Sequence, residues 1–248
     1  MLCDSYTNPK KPTLYGCACR CDVTRALEMI RAGAELEASG QGGQTALHYA
    51  GWKNTPDLAA ALLDAGANIN ARDSYDRTPL HYAACYARLP MIQLLADRGA
   101  DLNAKAKGNA TPLCYCCTTT HLEAVSALLS SGADPNYVAD TGYTILMGLC
   151  QSGLVVGVRS LLDYGADPNI GRDGYGFTCL HWAAFRGYEK IARMLLERGA
   201  VSGALSDSVP LGEGAALTVP KTERHRTPAQ IASERRHPRT ADLIQNWS

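Results

Sequence analysis

Aromatic side chains are scarce in this chain of 248 residues, which holds only two Phe and three Trp. Neither sign of charge is in excess, because 24 basic residues balance 24 acidic ones. A net charge of zero removes the broad electrostatic pull toward nucleic acid or anionic lipid, so neither is expected as a partner. No stretch approaches the roughly 18 consecutive apolar residues of a membrane-spanning helix. The opening MLCDSYTNPKKPTLYG lacks the apolar run of a secretory signal. The chain is therefore expected to be soluble, without membrane insertion, and cytoplasmic, with the nucleus left open as a second location. Catalytic signatures are missing too. GxxxxGK followed by Ser or Thr, HExxH and GxSxG do not occur, which removes a phosphate-cradling loop, a zinc-protease helix and a strained serine elbow. GRDGYG (171–176) holds three glycines, but their spacing does not suit a dinucleotide site. No enzymatic activity and no cofactor are expected.

What the chain does contain is repetition. RTPLHYAACY (77–86) has near copies in QTALHYAGWK from Gln44, ATPLCYCCTT from Ala110, YTILMGLCQS from Tyr143 and FTCLHWAAFR from Phe177. Their threonines, Thr45, Thr78, Thr111, Thr144 and Thr178, are spaced by 33, 33, 33 and 34 residues. A second phrase of the type DRGADLNA keeps the same beat, with glycines at 33, 66, 99, 132, 165 and 199. Self-similarity at such a period signals stacked structural units, each too small to bury its own apolar face. Within one unit, Thr78 precedes Pro79, a residue tolerated in a first helical turn, where its missing N–H would be unpaired anyway. Leu80, Ala83 and Ala84 follow at helical spacing. LPMIQLLADR then sets Met91, Ile92, Leu94 and Leu95 on a second apolar face, and Gly99 suits a left-handed helix end.

Thr78-Pro79-Leu80-His81, Ala83-Ala84, Leu94-Leu95 and Gly99-Ala100-Asp101 together resemble the ankyrin repeat family. That resemblance implies an all-α solenoid of stacked helix-turn-helix units with protruding β-turn loops. It divides the chain into a lead-in (1–12) and a single domain (13–247) of seven repeats. These are approximately 13–39, 40–72, 73–105, 106–138, 139–172, 173–201 and 226–247, with an inserted loop at 202–225 and the terminal repeats acting as caps. The central repeats depart from the pattern. Cys114 and Met147 replace the usual His, and Gly148 sits inside a first helix, where glycine costs about 0.5–1 kcal/mol relative to alanine.

Ten cysteines invite a zinc reading, but CACRC (17–21) and CYCC (114–117) lack paired CxxC spacing. Cys17, Cys116, Cys117 and Cys150 fall in slots where other repeats carry Ala, and cysteine packs well as a small apolar residue. Disulfides are not expected, and Cys19 and Cys85 sit where exposure would make them the more reactive thiols. His48, His81 and His181 share one register, three residues after the repeat Thr. Helices packed about 8–10 Å apart set such equivalents in a row, so they cannot share one ion, and no metal is expected. The resemblance implies instead that each ties a turn to its helix.

It implies a use as well. In the family, turn tips and first helices line a concave groove that commonly binds proteins. The corresponding positions here carry Trp52, Lys53, Tyr86, Phe185 and Arg186 on the helix side, and Tyr75, Arg77, Tyr143, Tyr175 and Phe177 on the turn side. Aromatics and Arg dominate binding hot spots. Repeat four adds Lys105, Lys107 and Thr118 to Thr120. The expected partner is another protein, and the unbound chain is expected to be a monomer. Asn103, Asn136 and Asn169, in the L…GADxN context, resemble the asparagines that an animal asparaginyl hydroxylase modifies. The chain is thus expected to be an adaptor or scaffold. The alternative is a regulatory or effector subunit of a larger complex.

Overall fold

Each threonine that marks the period sits immediately before a helix, and the reason is visible at atomic scale. Thr78 has extended backbone, and its N–H donates to His81 Nδ1 across 3.0 Å. The His side chain thereby satisfies a donor that the helix start would leave unpaired. Thr45 with His48 and Thr178 with His181 repeat the arrangement at 3.2 and 3.1 Å. Thr227 performs it with Gln230, whose Oε1 accepts from the Thr227 N–H at 2.9 Å. Thr144 lacks a polar residue at that place, and its hydroxyl oxygen accepts from the Met147 N–H alone.

The computed structural model describes residues 13–116, 121–206 and 225–247. Among them the fold is all-α, and the sole strand-like pairing is an isolated bridge between Val138 and Thr144. No helix of the described residues is long and apolar enough to cross a membrane. The chain divides into two compact units, 1–134 and 135–248. The first holds α1 (Leu14–Cys19), α2 (Val23–Arg31), α3 (Ala46–Lys53), α4 (Pro56–Asp64), α5 (Pro79–Cys85), α6 (Leu89–Asp97), α7 (Pro112–Tyr115) and α8 (Leu122–Ser130). Odd-numbered helices stack on one another as one layer and even-numbered helices as a second. The second unit repeats the plan with α9 (Ile145–Ser152), α10 (Val155–Asp163), α11 (Cys179–Arg186), α12 (Glu189–Glu197), α13 (Pro228–Glu234) and α14 (Pro238–Gln245).

Side-chain size decides the packing of the first layer. Ala50, Ala83, Ala84, Ala183 and Ala184 are fully buried between odd-numbered helices, and Cys17, Cys116 and Cys150 fill equivalent slots, as the alanine register predicts. Cys117 lies outside the described residues. Burial pushes the Cys116 thiol up to about 12 and Cys150 well above the usual range, so neither is a ready thiolate. Gly51 marks the closest approach, since a Cβ there would meet the Pro79 carbonyl oxygen at 2.7 Å. Leu58 and Leu62, Met91, Ile92 and Leu95, and Val125 and Leu128 form the core of the second layer in unit one. Each such side chain contributes roughly 1.5–3 kcal/mol by leaving water.

One cysteine corrects the sequence reading. Cys19 is buried rather than exposed, because α1 packs against α3. Cys85 is half-buried, and burial raises its pKa despite the nearby Arg77 charge.

A second ladder joins successive turns. Asn70 Oδ1 accepts from the Asp101 N–H, and Asn103 Oδ1 from the Asp134 N–H, both at 2.9 Å. In unit two, Asn136 Oδ1 accepts from the Asp167 N–H at 2.8 Å and Asn169 Oδ1 from the Val201 N–H at 2.9 Å. The histidines link repeats in the same sense. With Nδ1 occupied as an acceptor, Nε2 carries the proton and donates to a carbonyl one repeat on. His48 thus reaches Arg77 at 2.9 Å, His81 reaches Ala110 at 3.1 Å and His181 reaches Arg226 at 3.2 Å. Burial holds His81 and His181 down to about 4 and lowers His48, so all three are neutral in the folded chain.

Candidate partner-binding face

The turn that precedes α5 is organised by one buried carboxylate. Asp73 Oδ1 accepts from the backbone N–H groups of Tyr75 and Arg77 at 2.8 and 2.9 Å. Its Oδ2 accepts from Arg77 Nε at 2.8 Å and from the Tyr82 hydroxyl at 2.7 Å. That hydroxyl in turn accepts from Arg77 Nη2 at 2.7 Å and from Gln44 Nε2 at 3.2 Å. Burial alone would raise the Asp73 pKa, but the bonds from Arg77 and Tyr82 outweigh it and leave the carboxyl below its usual range. Burial and the Asp73 hydrogen bond raise Tyr82 far above an ordinary phenol. Asp73 thus ties the backbone of the turn to the Arg77 and Tyr82 side chains.

Arg77 lies over the rings of Tyr75 at 4.9 Å and Tyr82 at 4.7 Å, and Lys107 approaches Tyr75 at 5.7 Å. Tyr75 remains 58% exposed. At the C-terminal ends of the neighbouring helices, Trp52 stacks on Tyr86 with centroids 5.9 Å apart. Lys53 sits over Trp52 at 4.4 Å, and Arg88 lies 5.9 Å from the Tyr86 ring while its Nε donates to the Trp52 carbonyl at 3.1 Å. Tyr86 is 43% exposed. Trp52, Lys53, Tyr75, Arg77 and Tyr86 thus form two clusters of rings and cations in unit one.

In unit two the expected residues divide. Tyr175 is 44% exposed at its turn, and Phe185 is half-buried with Arg235 over its ring at 3.9 Å and Arg186 at 5.9 Å. Tyr143 is half-buried, and its hydroxyl donates to Gln151 Oε1. Phe177 is a correction. It is 0% exposed and packs against His181, Trp182 and Phe185, because a ring without a polar head has nothing to reach for at the turn and folds inward. It supports the face from beneath and is not open to a partner. Thr118, Thr119 and Thr120, and most of the 202–225 loop, lie outside the described residues.

The sequence reading missed the residues that hold the turns. Asp173 repeats the part of Asp73, with Oδ1 accepting from the N–H groups of Tyr175 and Phe177 at 2.9 Å each and Oδ2 from Trp182 Nε1 at 2.9 Å. The signal was present, since Asp73 with Tyr82 and Asp173 with Trp182 both stand nine residues apart and in one register. Asn103 and Asn169 are exposed and Asn136 is half-buried, and all three side-chain carbonyls are engaged in the turn ladder.

A family model described as ankyrin repeats (three copies) matches residues 14–106, 74–139 and 113–204. Comparison with curated proteins gave no match. Among solved structures, the chain is similar to the ankyrin repeat domain of Bcl-3, described as a unique member of the IkappaB protein family. The likeness covers 96% of this chain and 100% of that one at 24% identity, with a TM-score of 0.79. At that identity the likeness carries the fold alone.

Proposed function

The chain belongs to the ankyrin repeat family, and from that premise we propose that it is an adaptor or scaffold that captures a partner protein on the inner face of its first helices and turns. Ankyrin repeats are in general non-enzymatic protein–protein interaction modules. The observation that carries the finer reading is the Trp52–Tyr86 stack, flanked by Lys53 and Arg88 and left partly open to solvent. Rings held by packing and cations lose little freedom on binding, which favours their use as anchors. The adaptor works without a cofactor, is a monomer until it meets its partner, and resides in the cytoplasm.

Affinity purification with mass spectrometry tests the reading, with the wild type as one bait and Trp52→Ala, Tyr86→Ala and Phe185→Ala combined as the other. Unchanged helical circular dichroism is the folding control. Partners lost only by the variant support the inner face, and full retention of partners by the variant refutes it.

A second reading is a regulatory subunit modified by an asparaginyl hydroxylase. The exposure of Asn103 and Asn169 favours it, and their hydrogen-bonded side chains oppose it. Intact-mass analysis of the native protein, looking for one added oxygen on an Asn103, Asn136 or Asn169 peptide, decides between modified and unmodified.

A further inference from the structure

We propose that the inner face of repeats two to four binds an extended acidic peptide segment carrying an apolar side chain. This deepens the adaptor reading and rests on it. The helices of this face, α3, α5 and α7, contain no Asp or Glu, and Lys53 is their sole charge. The turns at 72–77 and 105–110 add Arg72, Arg77, Lys105 and Lys107, and Arg88 adds a charge beside Trp52. Against these six cations stand Asp73, which pairs with Arg77 in the buried hub, and Asp76, so four positive charges remain in excess. The chain as a whole is neutral, so the cationic surplus belongs to this face and is balanced elsewhere.

Four of these cations, Lys53, Arg72, Arg88 and Lys107, are positioned without being neutralised. Arg72 Nη1 donates to the carbonyls of Asp76 and Lys105 at 3.2 and 2.7 Å. Lys107 Nζ donates to the Ser74 carbonyl at 2.6 Å. Among the described residues, Lys53, Arg72, Arg88 and Lys107 form no ion pair with a carboxylate. Each keeps N–H donors that a carboxylate can take in a charge-assisted bond.

The anion that fits is a peptide rather than a single-stranded nucleic acid. Base stacking needs a free ring face. Trp52 has Tyr86 against it and Lys53 over it, and Tyr75 has both Arg77 and Lys107 close to its ring. What remains accessible are ring edges and partial faces, which suit an aliphatic or aromatic side chain between carboxylates.

Fluorescence anisotropy on the full chain tests this with three labelled probes. One is a short peptide of alternating Glu and Asp around a central Phe, the second is its Gln and Asn counterpart, and the third is single-stranded oligothymidine of equal charge. The acidic peptide is expected to bind roughly tenfold more tightly than its neutral counterpart and to weaken as salt is raised, since exposed charges are screened over about 10 Å at 0.1 M. Lys53→Gln with Lys107→Gln is expected to lose roughly tenfold for the acidic peptide, with each exposed pair worth up to about fivefold. Arg193→Gln on α12 should leave binding unchanged, and an unchanged melting temperature excludes a folding defect. Equal binding of the neutral peptide, preference for the oligothymidine, no binding of any probe, or full binding by the double variant each overturns the proposal. If the acidic peptide fails while the Trp52, Tyr86 and Phe185 variant still loses its captured partners, the acidic class is wrong and the adaptor reading stands. If that variant keeps its partners, the adaptor face itself is wrong.

Discussion

Lowering the pH from 7.5 to 5.0 should destabilise this protein through its buried histidines. The usual His pKa is 6.5, and in the folded chain burial brings His81 and His181 to about 4. The unfolded chain therefore binds protons that the folded chain refuses between these values, so stability is complete above about 6.5 and falls as pH drops toward 4. Integrated to pH 5, the loss is about 2 kcal/mol for each of the two residues, on the scale of about 1.4 kcal/mol per pKa unit. That is a large share of a domain stability of about 5–15 kcal/mol. Asp73 does not confuse the window, because its pKa is depressed below 3.8 and its contribution is lost only at lower pH. Urea midpoints at both pH values, for wild type and His81→Gln, measure the effect. Gln230 already caps Thr227 from the same position, so glutamine is expected to keep the cap while removing the titrating group. The variant should start about 1 kcal/mol less stable from the lost bond to the Ala110 carbonyl. It should then lose about 2 kcal/mol less than wild type on acidification. An identical acid-induced loss in wild type and variant would refute the reasoning.

Two helical glycines should respond in opposite directions to the same substitution. Gly148→Ala in α9 is expected to stabilise by about 0.5–1 kcal/mol, because a Cβ there meets only the Tyr143 ring at 3.5 Å. Gly51→Ala is expected to destabilise, since its Cβ would press on the Pro79 carbonyl at 2.7 Å; thermal unfolding of both variants decides. Asn103→Ala removes the acceptor for the Asp134 N–H and should cost about 1 kcal/mol, read as a shifted urea midpoint. Asn103→Asp keeps an acceptor oxygen and should cost less.

Periodicity made most of the fold legible before any coordinates. A repeat that contacts chiefly its neighbours writes its packing rules once and restates them, so the Ala slots, the Thr–His caps and the Leu faces could be read by aligning the chain with itself. The candidate face was less legible, because register fixes where a Cα sits and not which way its side chain turns. Arg77 and Phe177 share the position before the repeat Thr, yet one reaches back to a buried Asp and the other folds into the core. Trp52 and Tyr86 belong to adjacent repeats but to positions one residue out of step, so their stack follows from ring size and helix spacing rather than from the pattern.

The most direct test of the account is site-specific photocrosslinking in cells, with a photoreactive amino acid placed at Tyr86 on the inner face or at Gln93 on the exposed side of α6. The account predicts a covalent adduct with a partner protein from position 86 and none from position 93. An adduct from position 93 alone would place the partner on the second-helix face and contradict it.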